Sequence, residues 1–177
     1  MTKGEAMANK KLVDLLLQDE NANVANEEFE TLSGSDWVRL LSKKPQFADK
    51  CDKWDEIDSE DWVELLCSQP QFADKCDEVF LCLNIYQWVD LLAKQPQFAD
   101  RCSEWIYFDA YQWRSLLAEQ PQFVDKCTKS SVVVNVLIKH PQFIEYCNTS
   151  FITEKGKAKL LAKHPDLAKY FNDKNGK

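Results

Sequence analysis

A cysteine that recurs at nearly regular intervals is the residue best suited to chemistry in this chain. It closes the heptapeptide PQFADKC at Pro45–Cys51 and again at Pro70–Cys76. Near copies of the heptapeptide end at Cys102, Cys127 and Cys147. A thiol repeated in this way could ligate a metal, form disulfides, act as a nucleophile or pack in a core.

The spacing of these cysteines favours packing. Zinc sites use closely spaced pairs such as C-x2-C, whereas here one cysteine stands in each heptapeptide. Helices pack about 8–10 Å apart, which exceeds the limit of about 7 Å between the Cα atoms of a disulfide. The equivalent position of the last unit is Phe171, as expected for a core site. Cys67 and Cys82 lie outside this pattern, and no role is assigned to them.

The other ionisable residues do not form a recognisable catalytic set. His140 and His164 each directly precede a proline, where we expect an exposed residue at a helix junction rather than a base or ligand. The sequence has no Ser–His–Asp order, phosphate-binding glycine loop or H-E-x-x-H motif. We therefore predict that the protein is not an enzyme and has no catalytic residue, cofactor or metal.

The cysteines belong to a tandem repeat. Prolines stand at positions 45, 70, 96, 121, 141 and 165, so the units between successive prolines are 25, 26, 25, 20 and 24 residues long. Eight residues before the first four prolines lies a tryptophan: Trp37, Trp62, Trp88 and Trp113. An apolar pair such as Leu65–Leu66 also precedes every proline.

Each repeat is predicted to form two short helices. In SEDWVELLCSQ (Ser59–Gln69), Trp62, Leu65 and Leu66 fall at i, i+3 and i+4, the apolar stripe of a helix. The residue before a proline is disfavoured in the α region, so the first helix ends there and the second begins at the proline. In that second helix we expect Phe72, Ala73 and Cys76 to face the core.

The connector after each cysteine carries apolar residues that we interpret as core anchors: Trp54, Ile57, Phe80, Leu81, Leu83, Trp105, Ile106 and Phe108. The sequence does not decide whether the connector is a helical turn or a short strand, because Val79–Asn84 (VFLCLN) has the composition of a strand. We expect an all-α, solenoid-like array of about five to six two-helix repeats of about 25 residues. The alternative is an α/β, leucine-rich-repeat-like array with short strands.

From Trp37 to Cys147 the units resemble the short tandem W-x-x-L-L-x-x-x-P-Q-F repeats of uncharacterised bacterial proteins. The resemblance implies a helical repeat and no particular activity. The unit is shorter than tetratricopeptide, ankyrin or HEAT repeats.

Three segments are predicted. Residues 1–34 form an N-terminal capping helix and an acidic segment, residues 35–147 form the repeats, and residues 148–177 form a C-terminal capping repeat with a lysine-rich tail. The first 30 residues lack a signal peptide, and no apolar run is long enough to span a membrane. With an odd number of cysteines, seven, we expect a cytoplasmic protein.

Candidate binding residues occupy positions that differ between repeats. Charged residues lie one or two places after each tryptophan: Arg39, Glu64, Asp90 and Arg114. Tyr86, Tyr107 and Tyr111 are expected to be exposed, and tyrosine is enriched at interface hot spots. The glutamine after each proline, for example Gln71, is expected to bond to free N–H groups of the first helical turn or to its equivalent in the next repeat. The alternative is a row of amides for a bound peptide.

These patterns predict a non-enzymatic scaffold for protein–protein interaction, an adaptor or regulatory module. With a formal charge of −7, we expect a protein or peptide partner that has a basic surface, with no direct nucleic-acid binding and no membrane. The alternative is a small acidic inhibitor that mimics nucleic-acid charge and blocks a nucleic-acid-binding protein, as phage anti-defence proteins do.

Overall fold

The structure is a computed structural model that describes residues 2–19, 21–76 and 78–172. These residues form helices and connecting segments, with no β-strand among them. The α-helices are α1 (Lys3–Gln18), α2 (Asn26–Phe29), α3 (Gly34–Leu41), α4 (Ser59–Ser68), α5 (Val79–Cys82), α6 (Ile85–Lys94), α7 (Ala110–Glu119), α8 (Ser130–Lys139), α9 (Glu154–Leu161) and α10 (Lys169–Asn172). No helix within the described ranges combines the length and apolar character needed to cross a membrane. The all-α prediction is confirmed.

A 3-10 helix begins at each of the six prolines. These helices are Pro45–Lys50, Pro70–Lys75, Pro96–Arg101, Pro121–Lys126, Pro141–Tyr146 and Pro165–Ala168. The hydrogen bonds span three residues, as where Cys51 N donates to Ala48 O at 3.1 Å. The residue before the proline leaves the α region, with φ −133° and ψ 69° at Lys44. The second helix of each unit is therefore a tight six-residue turn or shorter.

The connectors form short helical turns. They lie at Trp54–Glu56, Glu104–Tyr107 and Thr149–Phe151, all 3-10, and at α5. The strand-like segment at residues 79–84 thus begins as a helix, and the leucine-rich-repeat alternative with short strands is wrong for the described residues. Residues 79–82 form one helical turn, and the described residues contain no neighbouring strand with which the segment could pair.

The α-helices begin at polar caps that the sequence supplies. Asp58 Oδ1 accepts hydrogen bonds from Glu60 N at 3.0 Å and Asp61 N at 2.9 Å, which fixes the start of α4. In α7, Asp109 Oδ1 accepts from Gln112 N at 3.0 Å while Gln112 Oε1 accepts from Asp109 N at 2.8 Å. This reciprocal pair of bonds is a capping box, so the exposed carboxylate of Asp109 serves to fix the start of α7.

Contacts between residues divide the chain into two compact units, residues 1–87 and residues 88–177, with the boundary inside α6. In the first unit α3 packs on both α1 and α4. The core consists of fully buried side chains from these helices and the loop before α3: Val13, Leu16, Leu32, Trp37, Leu40, Leu41, Trp62, Leu65 and Leu66. The predicted stripe of the first helix is thus buried, as are Phe72, Ala73 and Cys76.

In the second unit α8 packs on α7 and on α9. Its core contains Phe108 and Trp113 with aliphatic side chains of the three helices: Leu116, Leu117, Val132, Val133, Val134, Leu137 and Leu160. Val133 stands where the preceding repeats have a tryptophan, and it is also buried.

An aromatic cluster holds the connector against the helices in the first unit. The Trp54 ring stacks on Trp62, with centroids 5.7 Å apart and an interplanar angle of 21°. It also lies 5.4 Å from Phe72, at 50°. One aromatic residue from the connector thus contacts both helices of the repeat that follows it.

The second unit contains the same cluster with nearly the same geometry. Trp105 stacks on Trp113 with centroids 5.7 Å apart at 16°. Trp105 and Phe123 are 5.4 Å apart at 53°. The connector tryptophans are therefore anchors, as predicted.

Candidate functional site

The recurring cysteines are core residues. Cys51, Cys76, Cys102 and Cys127 are buried and Cys147 is half-buried. Burial raises the pKa of Cys51, Cys102 and Cys127 to about 11 each. Burial, Asp125 and Cys127 raise the pKa of Cys147 to about 12. Thiols held neutral in this way are poor nucleophiles, and the prediction that these cysteines pack is confirmed.

No group of three His, Cys, Asp or Glu side chains in the described part of the chain could hold a metal ion. All seven cysteines are free thiols. Cys82 is exposed at the end of α5 and Cys67 is half-buried in α4.

The two histidines are not the exposed junction residues expected from the sequence. Both are half-buried. The His164 Nε2 atom lies 3.0 Å from Ile138 O, and the His140 ring centroid lies 6.0 Å from that of Phe143. The expectation of exposure was wrong because each ring has a neighbour within the chain, a carbonyl of the preceding repeat for His164 and a ring of the following 3-10 helix for His140.

Three of the glutamines after the prolines bond to a partner that the sequence did not predict. Three repeats share a bond from the amide after the proline to the amide before it: Gln71 to Gln69 at 2.8 Å, Gln97 to Gln95 at 2.8 Å and Gln122 to Gln120 at 2.7 Å. The nitrogen of the second amide donates to the oxygen of the first. The partner of these three glutamines therefore lies within the same repeat, and both the structural role and the alternative of a row of amides for a bound peptide stay predictions.

The residue before the proline makes a bridge that the sequence reading missed. It bonds to the backbone carbonyl three residues before the preceding proline: Gln69 Nε2 to Ser42 O at 2.9 Å, Gln120 Nε2 to Ala93 O at 2.7 Å and His164 Nε2 to Ile138 O at 3.0 Å. Carbonyls at helix C-termini lack partners within the helix. The recurrence of a long side chain with an N–H donor at this position was the available signal.

Three of the candidate binding residues lie in the first unit. Tyr86, at the start of α6, and Glu64, on α4, are exposed. Arg39 on α3 is half-buried and its guanidinium pairs with Asp14 of α1, so its described contact is intramolecular. Their role in binding stays a prediction.

The other four candidates lie in the second unit. Tyr107 ends the 3-10 helix Glu104–Tyr107, and Asp90, Tyr111 and Arg114 are exposed on α6 and α7. Tyr111 and Arg114 are three residues apart and share one face of α7. The structure thus brings Tyr111 and Arg114 together on α7.

Two connector residues interpreted as anchors are in fact exposed. Leu81 is 87% exposed and Ile106 is 77% exposed, while Tyr86, Tyr107 and Tyr111 are 65%, 60% and 71% exposed. In each connector the flanking residues fill the core instead, Phe80 and Leu83 beside Leu81, and Phe108 two residues after Ile106. A single helical turn cannot bury every residue, and the larger aromatics take the inner positions.

An acidic cleft of about 520 Å³ lies beside Trp54 in the first unit. Asp55, Asp74 and Glu78 line it together with Lys75, whose Nζ is 5.9 Å from the centroid of the Trp54 ring. The ring therefore already accepts one cation on its face.

A groove of about 610 Å³ in the second unit has the opposite charge. It is lined by Arg114 from α7, Lys139 from α8, Lys159 from α9 and Lys163, which lies two residues after α9 ends. Its apolar lining consists of Leu117, Ala118, Val132, Val136 and Ile138. No acidic side chain of the described residues lines this basic groove.

The local sequences around the two sites explain their difference. Residues 1–87 contain 9 basic and 19 acidic residues, a net charge of −10, whereas residues 88–177 contain 13 basic and 10 acidic residues, a net charge of +3. The overall charge of −7 therefore hides a basic half.

Comparison with protein-family models finds no family that matches the chain. The curated proteins likewise contain no match, and neither do the solved structures. The evidence on function is therefore the geometry of the chain itself.

Proposed function

We propose that the chain is a solenoid-like array of five to six two-helix repeats that acts as a non-enzymatic scaffold for protein–protein interaction. The observation that carries the proposal is a set of exposed apolar side chains at matched positions of two consecutive connectors and the helices after them: Leu81, Tyr86, Ile106, Tyr107 and Tyr111. We call this set the apolar connector residues.

The fold does not require these side chains. At the same positions relative to the tryptophan, the two preceding repeats carry polar residues: Glu30, Thr31, Ser35, Asp55, Glu56 and Glu60. The connector therefore folds with either kind of residue. Large apolar side chains kept in water are typical of protein interaction surfaces, and tyrosine contributes strongly at them.

The charge of the first unit, to which Leu81 and Tyr86 belong, favours a partner with basic groups. Residues 1–87 have a net charge of −10, and the cleft beside Trp54 presents three carboxylates. A partner that combines apolar side chains with lysine or arginine would complement both features. The same charge disfavours direct nucleic-acid binding by this half.

The thiols support a binding role in a reducing compartment. Seven free cysteines suit the cytoplasm, where disulfides are rare. The raised pKa values of four of them make catalysis by these thiols unfavourable.

Quantitative affinity capture from the native host tests the proposal. The full chain is compared with the variant Leu81→Ser, Tyr86→Ser, Ile106→Ser and Tyr111→Ser. A matched control, Asp49→Ser with Asp100→Ser, changes exposed residues on 3-10 helices away from the connectors. We expect a protein that the wild-type chain and the control capture and that the fourfold variant loses by about tenfold or more.

Equal capture by all three forms would refute the role of the apolar connector residues. Capture of a DNA-binding protein that duplex DNA displaces, unaffected by the fourfold variant, would support the charge-mimic alternative instead. Circular dichroism of each form confirms that the substitutions leave the fold intact.

A further inference from the structure

We propose that the basic groove between α7, α8 and α9 binds an acidic, amphipathic peptide segment of another protein. The groove lies wholly within residues 88–177. It contains none of the apolar connector residues, so this inference goes beyond the scaffold proposal and does not rest on it.

The charges of the groove carry the first step. Arg114, Lys139 and Lys163 are exposed, and none of them forms an ion pair with any residue that the structure describes. Lys159 Nζ donates to Asn135 Oδ1 at 2.9 Å, a neutral acceptor. Four cations around one groove attract an anionic ligand, because each would gain a partner that the chain itself does not supply.

The apolar lining selects the kind of anion. Ala118 of α7 is exposed and Ile138 of α8 is half-buried at the groove, whereas Leu117, Val132 and Val136 are buried residues beneath the surface. A ligand that offers only charge would leave Ala118 and Ile138 without an apolar partner. A segment that alternates glutamate or aspartate with leucine-like side chains satisfies both the cations and these two side chains, in the manner of a helix in a groove.

The same lining disfavours a nucleic acid. Single strands bind through basic grooves in which aromatic rings stack on the bases. No phenylalanine, tyrosine or tryptophan of the described residues lines this groove. Its volume of about 610 Å³ falls in the range of about 300–1,000 Å³ that is usual for ligand sites.

Fluorescence anisotropy with defined probes tests the inference on the full chain. The main probe is a labelled peptide of about twelve residues that combines glutamate with leucine in helical spacing. Two further peptides replace glutamate by glutamine or leucine by serine, and a single-stranded oligothymidine of the same length is the fourth probe. We expect only the Glu/Leu peptide to bind well, and to bind more weakly as salt rises from about 0.05 to about 0.5 M.

Two variants place the peptide in the groove. Arg114→Glu with Lys163→Glu reverses two exposed cations, and Ala118→Trp fills the floor at an exposed position. Each should weaken binding of the Glu/Leu peptide by about tenfold or more. The charge-matched control, Lys129→Glu with Lys155→Glu, changes exposed lysines outside the groove and should weaken binding by about threefold or less.

Several results would overturn the proposal. They are equal binding of the Glu/Leu peptide to the groove variants, equal binding of the glutamine peptide, tighter binding of oligothymidine, or no binding up to about 1 mM peptide. Light scattering gives one more. If the wild-type chain self-associates and the Arg114→Glu, Lys163→Glu variant is monomeric, the occupant is a second copy of this chain. The proposed heterologous peptide would then be wrong.

Discussion

The two halves of the molecule each have a core that contains the same tryptophan stack, and they differ in their surface charge. In residues 1–87 the Trp54 ring lies 5.7 Å from Trp62, and in residues 88–177 Trp105 lies 5.7 Å from Trp113. Yet the first half has a net charge of −10 and an acidic cleft, whereas the second has +3 and a basic groove. The residues that set the local fold are copied, while the exposed positions vary.

The connectors show why the surface can vary at little cost to folding. Seven and six residues before the tryptophan the first half has Asp55 and Glu56, and the second half has Ile106 and Tyr107. All four are exposed. Because these positions lie outside the core, a change of polarity there alters what the surface binds and leaves the packing of Trp54 or Trp105 unchanged.

Truncating the stacked tryptophan should have the largest effect and should be equal in the two halves. Trp62→Ala and Trp113→Ala each remove a side chain that is 1% exposed and break its stack with the connector. We expect each to lower the free energy of unfolding by about 3–5 kcal/mol. Urea denaturation followed by circular dichroism measures the loss. A loss in only one half would break the view that the two cores are equivalent.

Replacing glycine by alanine should lower the free energy of unfolding by different amounts in the two halves. A Cβ atom on Gly34 would lie 2.6 Å from the backbone oxygen of Glu56, and one on Gly156 would lie 2.9 Å from Val134 Cγ2, a side-chain atom. Backbone cannot rotate away, so Gly34→Ala should cost about 1–3 kcal/mol. Gly156→Ala should cost less, since the close contact is with one side-chain methyl group rather than with backbone, and alanine favours the helix. Thermal denaturation gives the comparison, and an equal or larger loss at Gly156 would contradict it.

The core could be predicted well from the sequence because the spacing of the apolar residues follows directly from the geometry of a helix that buries one face. Trp62, Leu65 and Leu66 recur at helical spacing, and all three are buried. The start of α4 follows from Asp58 for the same reason, since a carboxylate there satisfies free N–H groups.

The surfaces were less predictable. A turn of three or four residues offers no periodicity, so Leu81 and Ile106 were read as anchors although Phe80 and Phe108 take the inner positions. The basic groove could not be read at all, because Arg114, Lys139 and Lys163 are far apart in sequence and converge only when three helices pack. The 3-10 form of the second helix depends on backbone angles that composition does not report.

Alkaline pH should weaken both halves through the buried thiols. The folded pKa is about 11 at Cys51 in the first half and at Cys102 and Cys127 in the second, raised from 9.0. The folded state keeps its protons where the unfolded state loses them, so this stability is complete below about pH 9 and is lost as the pH rises towards 11.

Urea midpoints at about pH 8 and about pH 10 measure the loss. The fall should be smaller in Cys51→Ala than in the wild type, and smaller again in Cys102→Ala with Cys127→Ala, because two titrating groups are removed. All other groups are the same in the forms compared, so their contribution to the fall is common to them. An identical fall in every form would contradict the assignment to these thiols.

The smallest effect should come from the bridge before the proline, which both halves contain. Gln69 Nε2 bonds to Ser42 O at 2.9 Å in the first half, and Gln120 Nε2 bonds to Ala93 O at 2.7 Å in the second. Replacing either by leucine keeps a similar volume and leaves the carbonyl without this donor, at a cost of about 0.5–1.5 kcal/mol.

Replacing Gln71 by leucine removes only the bond to Gln69 at an exposed position and should cost less, which makes it the matched control. The bridge links the end of one helix to the residue before the proline of the next repeat. Equal losses for Gln69→Leu and Gln120→Leu in urea denaturation would show that this bridge, like the aromatic cluster, contributes equally in both halves. A loss at Gln71→Leu as large as that at Gln69→Leu would instead place the contribution in the exposed pair of amides.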